Sequence, residues 1–174
     1  NYINGELDGI YKSYYENGQI EVDCNYINGE LDGIYKSYFI NGQIEKHWSY
    51  INGKNHGLHK TYYVNGKKSI DSNLEKGELH GEYKEYHENG NLKLQTQFKK
   101  GAETGETKSF YDNGNKYRES NLINGEYEGE IKEYFKNGNL KFVSYNDNYT
   151  FYKNNNIACE IEYGNPPKGI WKNY

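Results

Sequence analysis

The feature that most limits how this chain can fold is a 24-residue period, kept without insertion by three glycine series. Gly5, Gly29, Gly53, Gly77, Gly101 and Gly125 form the first; Gly9, Gly33, Gly57, Gly81, Gly105 and Gly129 the second; Gly18, Gly42, Gly66, Gly90, Gly114 and Gly138 the third. In the third series each Gly follows an Asn, from Asn17 to Asn137. A period of this length marks stacked supersecondary units, none of which can bury its apolar side chains without a neighbour. Residues 1–21 and 25–45 differ only at Tyr15/Phe39 and Glu16/Ile40, which reads as an internal duplication.

The register breaks after residue 146, yet Tyr152 to Ile157 echoes Tyr15 to Ile20, and Gly169 to Tyr174 echoes Gly9 to Tyr14. The expected organisation is therefore six full repeats over residues 1–146. A shortened seventh repeat and a half-repeat cap over 147–174 continue the same array. Asn1 already stands inside a motif that recurs at Asn25, so an upstream segment is expected, and an exported or a cytoplasmic location both stay open.

Each repeat reads as a β-hairpin. Asn-Gly suits the two positive φ angles of a type I′ turn. A two-residue turn at Asn17-Gly18 would place Tyr15 opposite Ile20, Ser13 opposite Val22 and Tyr11 opposite Cys24 on one side of the sheet. Ile10, Lys12 and Tyr14 would take the other side, with Lys12 opposite Asp23 and Tyr14 opposite Glu21. The second connection, Ile27 to Asp32, is expected to be longer, with Ile27 and Leu31 folded over the apolar face.

Composition supports strands over helices. The chain holds 25 Asn, 20 Gly and 21 Tyr but only 2 Ala and no Met, a mixture that favours turns and strands. Leu, Ile, Val and Phe number only 32 of 174 residues, a share that would signal disorder if the aromatics did not reach 17% and the net charge were not as small as −4. The predicted fold is all-β: an elongated single antiparallel sheet of tandem β-hairpins, forming an open repeat array.

Two ladders keep their chemistry in every full repeat: Lys12, Lys36, Lys60, Lys84, Lys108 and Lys132, and Tyr14, Tyr38, Tyr62, Tyr86, Phe110 and Tyr134. They are the candidate binding residues. The competing explanation is structural, with aromatic rings supplying buried area and Lys stems covering them.

The unit Tyr-x-Asn-Gly-x-x-x-Gly-x-Tyr-Lys-x-Tyr-Tyr-x-Asn-Gly, as in Tyr26 to Gly42 with Phe39 in the last aromatic slot, resembles the MORN repeat. It is most similar to the bacterial variant found in YwqK-family antitoxins. The resemblance implies a grooved antiparallel sheet used for binding rather than catalysis. Protein contacts, membrane-associated scaffolding and toxin neutralisation are the roles associated with such arrays. Thr107 and Ile131, where an aromatic is expected, and Asn155, where Gly is expected, depart from the pattern.

Catalytic signatures are missing from the sequence: there is no nucleophile elbow, phosphate-binding loop or His-Glu-x-x-His. His59 and His87 occupy aromatic slots, His47 faces Lys36, and His56 and His80 share a loop slot held elsewhere by Asp8 and Asp32. A zinc site from His56 and His80 lacks a third ligand in register, so no metal and no cofactor is expected. A pI near 5.8 argues against nucleic acid and ranks anionic lipid low. Cys24 and Cys159 do not form a disulfide framework. The expected function is a non-enzymatic protein-interaction module, in its narrower form an antitoxin-like or immunity-like protein masking a toxin. A cell-wall choline- or glucan-type binding array is the alternative, weakened because only Trp48 and Trp171 are available for aromatic cages. A phospholipid-binding scaffold ranks below both.

Overall fold

In a computed structural model covering residues 2–3, 5–145, 148–153, 156–162 and 168–171, every regular element is a β-strand. The strands pair antiparallel, and the hairpins follow one another along the chain as the period requires. The chain divides into two compact units, residues 1–90 with 98–101, and residues 91–97 with 102–174. In the first, Gly9–Tyr14, Ile20–Ile27, Gly33–Tyr38, Ile44–Ile51, Lys54–Tyr62, Lys68–Glu75 and Gly81–Tyr86 are neighbours in that order. In the second, Ala102–Phe110, Lys116–Ile123, Glu126–Tyr134, Leu140–Tyr145, Asn148–Lys153, Asn156–Glu162 and Lys168–Trp171 follow likewise. Asn155, the seventh-unit departure from Gly, lies outside the described residues.

The type I′ turn is present, but at the other Asn-Gly pair. Asn28 and Gly29 both have positive φ, 50° and 78°, and Ile27 pairs with Glu30 across this two-residue loop. The expected long second connection is therefore a tight turn. Leu31 pairs with Tyr26, whereas Ile27 stays 48% exposed instead of folding over the sheet. At Asn17-Gly18 only Gly18 lies at positive φ, 83°. Tyr15 N donates to Gln19 O at 2.8 Å and Gly18 N to Tyr15 O at 2.9 Å. This is a three-residue loop, a type I turn followed by a left-handed Gly. Asn17 is conserved in kind across repeats for a different reason: its Oδ1 accepts from Gln19 N at 3.0 Å, an Asx turn.

The three-residue loop shifts the near-turn pairing by one. Lys12↔Asp23 and Ser13↔Val22 stand as the two-residue turn would have them, but Tyr14 then pairs with Ile20, with a bulge between Ser13 and Tyr14. Directly opposed residues share a face, so Ile20 lies beside Tyr14 and Lys12, not beside Tyr15 as the sequence suggested. Lys68 and Lys116, the equivalents of Ile20, confirm the placement by reaching Asp71 at 2.8 Å and Glu119 at 2.7 Å.

Successive repeats are stitched together at both rims. Asn17, Asn41 and Asn65 donate through Nδ2 to the carbonyls of Ile40, Val64 and Glu88, at 3.2, 3.0 and 3.0 Å. Tyr63 Oη donates to Tyr86 O at 2.6 Å, and Tyr111 Oη to Tyr134 O at 2.9 Å. On the opposite rim Gly29, Gly53 and Gly77 donate their N–H to Leu7, Leu31 and Asn55 carbonyls at 2.8 to 2.9 Å. The Asp8, Asp32 and His56 slot belongs to this stitching, since each side chain accepts the N–H of the next repeat's turn residue, Asn28, Asn52 or Lys76.

Few side chains among the described residues are fully buried. Those that are lie mostly on one face, where Cys24, Ser72, Thr96, Ser120 and Ser144 recur at the 24-residue period. Aromatic rings flank this row: Tyr11 against Tyr26 at 6.0 Å, Tyr35 against Tyr50 at 6.0 Å, Tyr83 against Phe98 at 5.5 Å. This Cys24 face is the aromatic and aliphatic side; the other is the lysine face.

Two stability outcomes follow. Lys76 and Lys100 occupy the first turn position at φ 53° and 51°, where an L-residue other than Asn or Gly is disfavoured by about 1 kcal/mol. Lys76→Asn and Lys100→Asn should each raise stability by about 0.5–1 kcal/mol in urea melts. Asn41→Ala removes both the bond from Gln43 N and that to Val64 O and should cost about 1–2 kcal/mol. Asn41→Asp, which keeps the acceptor, should cost about half as much.

Candidate functional site

The lysine face is assembled by period and register. In the first unit its central row runs Lys12, Asp23, Lys36, His47, Lys60, Asp71, Lys84, each opposite the next. In the second it runs Lys108, Glu119, Lys132, Val143. Except at His47 and Val143, charges of opposite sign alternate across neighbouring strands, the cross-strand arrangement that stabilises a sheet. In each unit the candidate binding residues it holds stand on its lysine face.

Most of the lysines already have partners within the chain. Lys12 reaches Asp23 at 3.3 Å and Lys60 reaches Asp71 at 3.4 Å, both across strands. Lys84 and Lys108 turn along their own strands to Glu82 and Glu106, each at 2.8 Å, and Lys132 does the same to Glu130. Hydrogen bonding to those glutamates raises the Lys84, Lys108 and Lys132 ammonium pKa values. Lys36 alone of the six makes no ion pair among the described residues. Beside it, burial and then the charges of Lys36 and Lys60 push the His47 imidazole below its usual range, favouring the neutral form.

The tyrosine ladder varies from end to end. Tyr14 is 58% exposed, whereas Tyr38, Tyr62, Tyr86, Phe110 and Tyr134 are half-buried. Tyr134 Oη donates to Glu119 Oε2 at 2.6 Å. Burial together with that carboxylate pushes the Tyr134 phenol up to about 12. Burial pushes Glu119 up, but hydrogen bonds from Lys116 and Tyr134 and the charges of Lys116 and Lys108 outweigh it and hold the carboxyl below its ordinary value.

Two further rows belong to this face. One runs Ile10, Ile34, Leu58, Glu82, Glu106, Glu130, aliphatic in the first three repeats and acidic in the next three. The other runs Ile20, Ile44, Lys68, Leu92, Lys116, Leu140, placed here by the bulge. The first row could be read from the period, but the second needs the bulge, which leaves no signature of its own.

The repeating geometry has a family counterpart. A family described as the MORN repeat variant matches residues 7–28, 31–52, 79–100, 103–124 and 127–148, more than half of the chain. The chain belongs to the MORN repeat variant family. A comparison with curated proteins found no significant match. The family match passes over 53–78, where His56 and His59 stand in slots that Asp and Tyr hold in the first two repeats, yet this stretch folds as the same hairpin, Lys54–Tyr62 with Lys68–Glu75.

The Cys24 face carries the tightest aromatic group. Trp48 stacks on His59 at 4.8 Å and lies 6.0 Å from Tyr35, with Lys46 5.2 Å from its ring centroid. Its Nε1 is buried without a hydrogen-bond partner. Lys46 therefore occupies a cation position over the ring from within the chain. No group of three or more His, Cys, Asp or Glu among the described residues is arranged to hold a metal ion.

The Tyr134–Glu119 bond is testable by titration. The raised phenol pKa means that this bond stabilises the fold fully below the unfolded value near 10 and that the contribution is lost as pH rises toward 12. Glu119→Gln should return the Tyr134 titration, followed by NMR, toward 10.

Proposed function

We propose that the protein is a non-enzymatic protein-interaction module that docks a partner on its lysine face, in the narrower reading a toxin that it masks. MORN repeats are typically protein- or membrane-interaction modules. The observation that carries the choice of face is the exposure of large apolar side chains in register there: Ile10 is 69% exposed, Tyr14 58% and Ile34 47%. Such rows, rimmed by ionic side chains, have the make-up of a docking surface. Tyrosine suits it because it brings a large contact area and a hydroxyl at small entropic cost. The antitoxin-like reading rests on the resemblance of the repeat unit and on a net charge of −4, which would complement a basic toxin.

A choline- or glucan-type array is the second reading. The Trp48 cluster is its best support, and the lysine already over that ring weakens it.

Co-expression with the products of adjacent genes, followed by size-exclusion chromatography, should recover one stable complex. Tyr38→Ala combined with Tyr62→Ala should weaken it at least tenfold with the far-UV spectrum unchanged. Retention on choline or glucan resin with no co-eluting protein would overturn the interaction reading.

A further inference from the structure

Across the first unit the central row of the lysine face alternates cation and anion at every strand except one. Lys36 and Lys60 both lie opposite His47, in the position that Asp23 and Asp71 hold in the adjacent hairpins of the same row. The carboxylates on either side are already engaged, Asp23 by Lys12 at 3.3 Å and Asp71 by both Lys60 and Lys68 at 3.4 and 2.8 Å. Lys36 has neither an ion pair nor a hydrogen bond among the described residues. With neighbouring strands about 4.8 Å apart, Lys36 and Lys60 bracket His47 at a separation of about 10 Å, a gap that one carboxylate can fill.

The flanks of that gap are apolar apart from Ser49, which lies opposite Ile34 and is bonded to the His56 carbonyl. Ile34 and Leu58 lie on one side, and Tyr38, Ile44 and Tyr62 on the other. Later repeats differ at the same place: Glu82, Glu106 and Glu130 replace the aliphatic residue and bind their own repeat's lysine. Among the first three repeats, which keep the aliphatic border, Lys12 and Lys60 are paired with Asp23 and Asp71, and Lys36 alone is an ammonium that the chain does not neutralise.

We propose that a partner segment carrying a carboxylate flanked by aliphatic or aromatic side chains docks here, its carboxylate seated over His47 between Lys36 and Lys60. This rests on the protein-interaction reading and names the chemistry of the partner's anchor. The partner's acid takes the place that Asp23 and Asp71 hold in the adjacent hairpins, so docking completes the charge alternation. Ile34, Leu58, Tyr38 and Tyr62 then cover the flanking side chains and exclude water, which strengthens the ionic contact.

The test uses NMR titration of the whole chain with two peptides, acetyl-Gly-Ile-Glu-Tyr-Gly-amide and its Gln counterpart. The Glu peptide should perturb His47, Lys36, Ile34 and Tyr38, and bind at least fivefold more tightly than the Gln peptide. His47→Asp, which fills the gap from within, should remove that preference, whereas His47→Asn should keep it. Urea melts check that both variants fold. Equal binding of the two peptides, a preference that survives His47→Asp, or no saturable binding would overturn the proposal. So would vesicles containing phosphatidylserine perturbing these residues when the Glu peptide does not. If the peptides perturb the Cys24 face instead, or if the complex with a partner forms while His47→Asp leaves it intact, this anchor fails and the interaction reading stands. Absence of any protein complex removes both.

Discussion

The hydrogen bonds that tie each turn to the turn one period away are what the rest of the structure depends on. A lone hairpin is marginal in water, and among the described residues the most deeply buried side chains are small, Ser72 and Thr96 being the largest that are almost completely enclosed. Burial alone therefore cannot fix the register. The Asn17 series, the Tyr63 and Tyr111 hydroxyls, and the Gly29 series each bridge to the adjacent repeat through backbone carbonyls. One inserted residue in either turn would misalign bonds to both neighbours, which is the physical reason the period runs for six repeats without a gap.

The same stitching explains substitutions that look chemical. A histidine in the Asp8 slot invites a metal reading, but in the first three repeats this slot supplies an acceptor for the next turn's N–H, and the His56 imidazole nitrogen does so as the Asp8 and Asp32 carboxylates do. His56 accepts from Lys76 N at 3.4 Å, where Asp32 accepts from Asn52 N at 3.2 Å. His59, in the Tyr11 slot, likewise stacks on Trp48 and meets Ser72 Oγ at 3.0 Å, so its ring keeps the packing role of tyrosine.

The strands, their partners away from the Asn17-Gly18 turns and the Lys12 and Tyr14 ladders were legible in the sequence because they follow from period and alternation. Lys12 opposite Asp23 and Tyr11 opposite Cys24 needed only the assumption of a hairpin centred on Asn17-Gly18. Turn type was not legible in the same way. Two Asn-Gly pairs occur in each early repeat, and the dipeptide serves a type I′ loop at Asn28-Gly29 but a three-residue loop at Asn17-Gly18. The difference lies in where Asn sends its side chain: Asn17 Oδ1 folds back onto Gln19 N, whereas Asn28 takes the left-handed backbone itself. An error of one residue there moves Ile20 to the opposite face, so a local ambiguity about φ became an error about the composition of the candidate surface. The ion-pair pattern was hidden for another reason. Whether a lysine reaches across strands to Asp23 or along its own strand to Glu82 depends on side-chain reach, which alternation does not encode.

That second ambiguity shows how the surface can vary without disturbing the fold. The stitching uses backbone carbonyls, turn glycines and rim side chains, none of which lies in the Ile10 row or the Asp23 row. Replacing Ile34 by its counterpart Glu82 leaves the hairpin backbone alone and changes only where the adjacent ammonium finds its partner. Each repeat therefore carries a fixed lysine whose charge is cancelled locally by a glutamate, cancelled across strands by an aspartate, or left over when the facing residue is histidine. Specificity on such a sheet is set less by which residues are charged than by which charges remain uncompensated, because a compensated exposed pair contributes little to a partner while an uncompensated ammonium in an apolar border gains most from being paired and covered.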